Sequence, residues 1–287
     1  MNKSLSRFIL LLLVNLSLGL TPARAQLAWA QQWLDQQRAE YYLAATSEQL
    51  QQAQQELAQL LKNGLDESSV ADWQALGFEV KKLELAGLNF YALSEHSKAL
   101  HGKGAYLFPA DRPIRAVVQA PHRFYDRYSG DLVLQLVLSQ PGLAGMWNTG
   151  SRRQIDLGQA ENSFFAYFTA QLMRQSDQLR IIQMHGFDPD KRTSMAGRRA
   201  ELILSAGAAA PERSHYQAVA CLRRNVFKST LLYPDDVKEL GGTLNFVNAL
   251  RRSHPGTVFF HLEMSAASRQ TLRGNDAQLR QLYQCLN

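Results

Sequence analysis

The sequence lacks most of the short motifs that assign a chain to a class at once. It has no Gly-x-Ser-x-Gly elbow of a serine hydrolase, no Gly-x-x-x-x-Gly-Lys phosphate loop and no His-Glu-x-x-His metalloprotease helix. Met184-His185-Gly186 lacks the arginine that a histidine phosphatase sets before its histidine. No basic run is interleaved with aromatics, so nucleic acid is not an expected partner. Only 2 cysteines occur, and Cys221 sits in a helical pattern with no evident base, which argues against a thiol nucleophile. The apolar run over 8–20 is broken by Asn15, Ser17 and Gly19 and is shorter than the roughly 20 residues a membrane span needs. Internal repeats and long linkers are missing as well.

What is present is 287 residues, 46% hydrophobic and 20% charged, enough for one large α/β domain with an appendage. Lys3 and Arg7, the apolar run and Ala23-Arg24-Ala25 read as a secretory leader over 1–25, cleaved before Gln26. A periplasmic or secreted location follows, with no stable membrane insertion after cleavage. The leader would remove Lys3, Arg7 and Arg24, so the formal charge falls from +6 to 28 − 25 = +3, a weak bias. In an oxidising compartment Cys221 and Cys285 are candidates for a disulfide tying the C-terminal tail to the domain. Two separately buried thiols are the alternative, since sequence separation does not fix where their Cβ atoms lie.

Residues 26–78 read as a helical region. Leu50, Ala53, Gln54, Leu57, Leu60 and Leu61 recur at helical spacing, with Thr46 or Ser47 as cap and Asn63-Gly64 as stop. Trp29, Trp33, Tyr41 and Tyr42 suggest an earlier helix, hence a helical hairpin that packs on the domain, on a second copy or on a partner. Over 79–287, strands at 80–85 and 89–93 flank the Gly87 turn as an edge hairpin. Beyond it, strands (102–108, 114–119, 145–148, 179–184, 202–205, 257–263) alternate with helices (132–139, 163–176, 214–224, 241–252, 277–286). The expected fold is therefore a three-layer α/β/α domain on a mainly parallel mixed sheet, preceded by the hairpin.

The apolar run Ala116-Val117-Val118 opens into Pro121-His122-Arg123-Phe124-Tyr125-Asp126, and Ile181-Ile182 leads likewise to His185-Gly186. Loops past strand carboxyl ends are where α/β proteins bind ligands. His122 and Asp126, four apart, can bend onto one ion; His185 on a neighbouring strand would complete two histidines and a carboxylate with an open position. Such an ion makes its water more acidic and polarises a carbonyl. The competing reading keeps each histidine as a loop hydrogen-bonder and makes Asp126 the cap of the next helix. Glu263, sharing a strand face with His261, would be a general base, or else pair with Arg269 or Arg273. Asn148 and Arg152 are candidates to hold a substrate carboxylate; solvated loop arginines are the ordinary alternative. Asp156 reads as a turn or capping residue.

Taken in order, strand-His-x-x-x-Asp, Asn-x-x-x-Arg, strand-His-Gly and a late strand-Leu-Glu resemble the zinc amidohydrolase and carboxypeptidase-like group, which includes N-formylglutamate amidohydrolase and phage poly-γ-glutamate hydrolase. The likeness covers about 114–273 and implies a phosphorylase/hydrolase-like α/β/α fold. It also implies zinc on His122, Asp126 and His185, Glu263 as general base, and Asn148 with Arg152 as the substrate clamp. Here the first carboxylate is Asp where Glu is more usual, and the Asn–Arg pair spreads over five positions. The expected protein is an exported zinc-dependent hydrolase of an amide bond in a peptide, peptidoglycan stem or γ-glutamyl-type substrate, using metal-activated water. The alternative is a non-catalytic exported binding or scaffold protein with structural histidines and a homo-oligomeric or partner surface on the N-terminal helices.

Overall fold

The computed structural model describes residues 22–287, with side chains from Ala25 onward. The leader expected over 1–25 thus falls almost wholly outside the described residues. Helix α1 (Pro22–Asp35) runs across the expected cleavage point. Among the described residues no helix is long and apolar enough to cross a membrane.

Helices α2 (Ser47–Asn63) and α3 (Glu67–Ala75) come next, each opened by a capping box, Thr46 with Gln49 and Asp66 with Ser69. The two long N-terminal helices do not form a hairpin core together. Ala30 and Leu34 of α1 enter the core on one side of the sheet, whereas Leu50, Ala53, Leu57 and Leu60 of α2 enter the core on the other. The reason lies in α2's apolar stripe, which is as wide as a sheet-covering helix needs and is spent entirely on that face.

Strands β1 (Phe78–Leu85) and β2 (Leu88–Glu95) form the edge hairpin, its two-residue turn holding Ala86 and Gly87 both at positive φ, as a primed turn requires. Next come β3 (Ala105–Pro109), β4 (Ala116–Ala120), α4 (Ser129–Ser139), β5 (Leu143–Trp147), α5 (Phe164–Arg174) and β6 (Arg180–Phe187). The chain closes through α6 (Met195–Arg199), β7 (Leu202–Ser205), α7 (Arg213–Asn225), β8 (Thr230–Leu232), α8 (Val247–Arg251), β9 (Val258–Ser265), α9 (Ala266–Arg273) and α10 (Asp276–Leu286). The helix expected over 241–252 is only α8. Leu240 and Gly242 have φ of 64° and 60°, so 241–246 is a loop instead.

The sheet has nine strands in the order β1-β2-β3-β5-β4-β6-β9-β7-β8. Its centre, β5-β4-β6-β9, is parallel, while β1-β2-β3-β5 and the β9-β7 pair are antiparallel, so the parallel character is confined to the middle and to β7-β8. Helices cover both faces, giving three layers. Alternation along the central strands sorts their side chains between those two faces. Val118, Ile182 and Phe260 face the core under α4, α7 and α10, and Val117, Ile181 and Phe259 face the core under α2 and α5. The Cys221–Cys285 disulfide joins α7 to α10 across a Cα separation of 5.4 Å.

Candidate metal centre

Gln119, Gln183, His185, His261 and Glu263 share parity with Val117, Ile181 and Phe259, so they stand on the α5 face, towards the strand carboxyl ends. Strands β6 and β9 pair in register, His185 opposite Glu263 and Gln183 opposite His261. After β4 the chain takes one helical turn, with Asp126 N donating to His122 O at 2.9 Å, which sets the His122 and Asp126 side chains on one side. Asn148 pins the start of that turn. Its Nδ2 donates to Pro121 O (2.8 Å) and its Oδ1 accepts from Gly150 N (2.7 Å).

Three atoms converge. His122 Nδ1 and His185 Nδ1 lie 3.1 Å apart, and each is 3.5 Å from Asp126 Oδ2. Ligand atoms around a tetrahedral zinc with bonds of about 2.0 Å are separated by about 3.3 Å, so this triangle fits such an ion. The donor set fits too. Asp126 Oδ2 is buried and has no hydrogen-bond partner, an arrangement that costs free energy unless a cation or protonated group faces it. Asp126 does not cap α4; that position belongs to Tyr128, at φ 73°.

The outer nitrogens are tied off. His122 Nε2 is 2.7 Å from Asp156 Oδ1, which also accepts from Gly158 N at 3.0 Å. His185 Nε2 is 3.2 Å from Gln183 Oε1. With protons on both Nε2 atoms, both Nδ1 lone pairs point inward, the disposition of metal-ligating histidines with their outer partners. Burial disfavours the charged form of His122, but the adjacent carboxylates of Asp126 and Asp156 outweigh it and raise its pKa above 6.5. Burial lowers His185, and the charge of His122 adds to this against the nearby Asp126 carboxylate. Burial works against the Asp156 carboxylate, yet the hydrogen bond and charge of His122, with Arg152, hold it at about 2. Asp126 is likewise held well below the usual range by His122 and His185 despite its burial.

Glu263 borders the same space. Burial and the charge of Asp126 push it up to about 8, only partly offset by His122, Arg269 and Arg152, and its Oε2 has no partner. His261 lies against His185 with ring centroids 4.4 Å apart, and burial followed by the charges of His185 and His122 drives its pKa well below 6.5. These groups line a cleft of about 270 Å³. Its other wall is the 240–245 loop, where Leu244 is 75% exposed.

Of the residues singled out from sequence, His122, Asp126, His185, Glu263 and Arg152 line this one cleft. Asn148 is not brought to it: the residue is buried beneath the loop and both ends of its amide are engaged there. Arg152 reaches Asp156 Oδ2 at 3.4 Å, leaving most of its donors available. Glu263 pairs with neither arginine. Arg269 donates to Met264 O and to Arg127 O, and Arg273 to Asp131. Gly186 leaves room for the Arg269 guanidinium, which a Cβ there would meet. Gln183, Asn245 and Gln119 escaped sequence reading, and Asp156 was read only as a turn or capping residue. Two of them carried a faint signal, as glutamines inside otherwise apolar strands just before a histidine.

No protein-family model matches the sequence, and no curated protein matches it significantly. Among solved structures the fold is similar to N-formylglutamate amidohydrolase from Ralstonia eutropha JMP134, at 11% identity and a TM-score of 0.40 over 63% of this chain and 96% of that one. It is similar also to a metallo-carboxypeptidase from Burkholderia cenocepacia, at 10% identity and a TM-score of 0.39 over 77% of this chain and 69% of that one. Both carry names from the group that the sequence pattern resembles. Likeness this loose carries no argument about chemistry, which rests on the side chains.

Proposed function

We propose that this protein is an exported, zinc-dependent hydrolase that cleaves an amide bond in a peptide-like or carboxylate-bearing substrate. One observation carries the reading: the Nδ1 atoms of His122 and His185 and a buried, unpartnered carboxylate oxygen of Asp126 converge within 3.5 Å at the wall of an open cleft. Three protein ligands beside open space suit a catalytic ion rather than a structural one, which is enclosed by four. His122, Asp126 and His185 would hold the ion. When bound, zinc supplies a more acidic water and polarises the substrate carbonyl.

The chain's own groups do the rest. Glu263, which lines the cleft, can take a proton at its carboxylate and return it to the leaving amine. Arg152, lining the same cleft, offers a planar fork to a substrate carboxylate. Asp156 keeps the proton of His122 on Nε2, and the walls of β6 and β9 exclude bulk water from behind the site.

The test is metal content after mild purification. About one equivalent of zinc in the parent, absent from His185→Ala, supports the reading; a parent that neither holds zinc nor melts higher when it is added overturns it.

A further inference from the structure

His185 is held from behind by a chain of buried amides that runs through the core to two backbone groups. Thr169 Oγ1 donates to Phe165 O within α5 at 2.7 Å, so its hydroxyl proton is committed and its oxygen accepts from Gln119 Nε2 at 2.8 Å. That turns Gln119 Oε1 towards Gln183, whose Nε2 donates to it at 2.8 Å. Gln183 must then present Oε1 to His185. A second anchor reaches the same conclusion from the opposite side. Val247 N donates to Asn245 Oδ1 at 3.0 Å, which turns Asn245 Nδ2 onto Gln183 Oε1 at 2.6 Å. Gln119, Thr169 and Gln183 are wholly buried, and Gln119 and Gln183 are register partners on β4 and β6.

A buried amide ladder in an apolar sheet is expensive to leave half-satisfied. This one is closed at both ends by groups that cannot reverse: a carbonyl can only accept and a backbone N–H can only donate. We propose that Gln119, Thr169, Gln183 and Asn245 are positioning residues that hold the His185 proton on Nε2 and leave Nδ1 bare towards Asp126 and His122. The proposal rests on the metal-binding reading for its purpose, but the tautomer itself does not depend on a metal. Asn245 also lines the cleft. The 240–245 loop is thereby coupled to the ligand it faces.

The test is the imidazole nitrogen–proton correlation spectrum of the metal-free full chain labelled with nitrogen-15, together with zinc affinity by chelator competition. In the parent the His185 proton is expected on Nε2; finding it on Nδ1 overturns the proposal. Asn245→Asp places an acceptor where a donor stood; combined with Thr169→Val, which removes the opposite anchor, it should let Gln183 turn its NH2 inward, and the His185 proton should move to Nδ1. Zinc affinity is then expected to fall by about 10–100-fold, the usual cost of losing an outer partner. The added negative charge alone would raise affinity, so an unchanged or higher affinity with an unchanged tautomer counts against the ladder. Gln183→Met should weaken zinc similarly, whereas a merely structural role would lower the melting temperature and leave affinity alone. If the parent binds no zinc, the hydrolase reading fails, while the parent spectrum still decides the tautomer.

Discussion

His122 and His185 face each other Nδ1 to Nδ1 at 3.1 Å, with each Nε2 bound elsewhere. Two lone pairs at that distance repel, and the Asp126 oxygen beside them adds charge of the same sign unless a cation or a proton sits between. Asp126→Ala removes the oxygen and should abolish stabilisation by zinc. In the parent, zinc at 100 times its dissociation constant should add about 2.7 kcal/mol. Urea melts with and without zinc check this; equal gains in both proteins would remove Asp126 from the ligand set.

Glu263→Gln keeps shape and removes the proton acceptor. Zinc content should be unchanged, and turnover of an amide substrate should fall by roughly 10²–10⁴-fold. Activity close to the parent's would eliminate Glu263 as the base.

Asp156 was legible only as a turn residue, yet it fixes the His122 tautomer at 2.7 Å. Asp156→Asn is expected to weaken zinc binding by about 10–100-fold while leaving the fold intact. Chelator competition and circular dichroism together make the measurement.

Glu239 clasps the segment before α6 to the start of the cleft loop. Ser194 Oγ (2.6 Å), Thr193 N (3.0 Å) and Ser194 N (2.9 Å) all donate to it, and these bonds hold its carboxyl at about 2. A depressed carboxylate contributes stability above its ordinary value of 4.5 and loses it as pH falls towards about 2. Glu239→Gln should therefore lower stability above 4.5 and flatten the acid limb below it. Superimposable pH profiles for parent and variant would show the clasp to be idle.

The disulfide closes a sequence separation of 64 residues between α7 and α10. Replacing both cysteines by serine should cost up to about 4 kcal/mol, the chain-entropy value for such a loop. Denaturant melts of the oxidised parent and the double variant give the number.

Local chemistry was enough to read a cap at Thr46 or Ser47, the Gly87 hairpin and the strand-to-loop ending before His122, because periodicity and turn preference act over a few residues; β6 and β9 run on through His185 to Phe187 and through Glu263 to Ser265, past the ends read from sequence. The i,i+4 relation of His122 and Asp126 was equally local. The tertiary structure alone decided that α1 and α2 part to opposite faces, that Gly186 makes room for Arg269, and that Asn148 braces a loop instead of facing the cleft. It also brought Asp156 to His122 and Asn245 to Gln183, across separations of 34 and 62 residues. Sequence marks which side chains have the chemistry to bind a cation. Only the pairing of β4 with β6 and the closure of the loop after β4 set the His122, Asp126 and His185 donor atoms within 3.5 Å of one another, because that distance is fixed by long-range strand register, which no local pattern encodes.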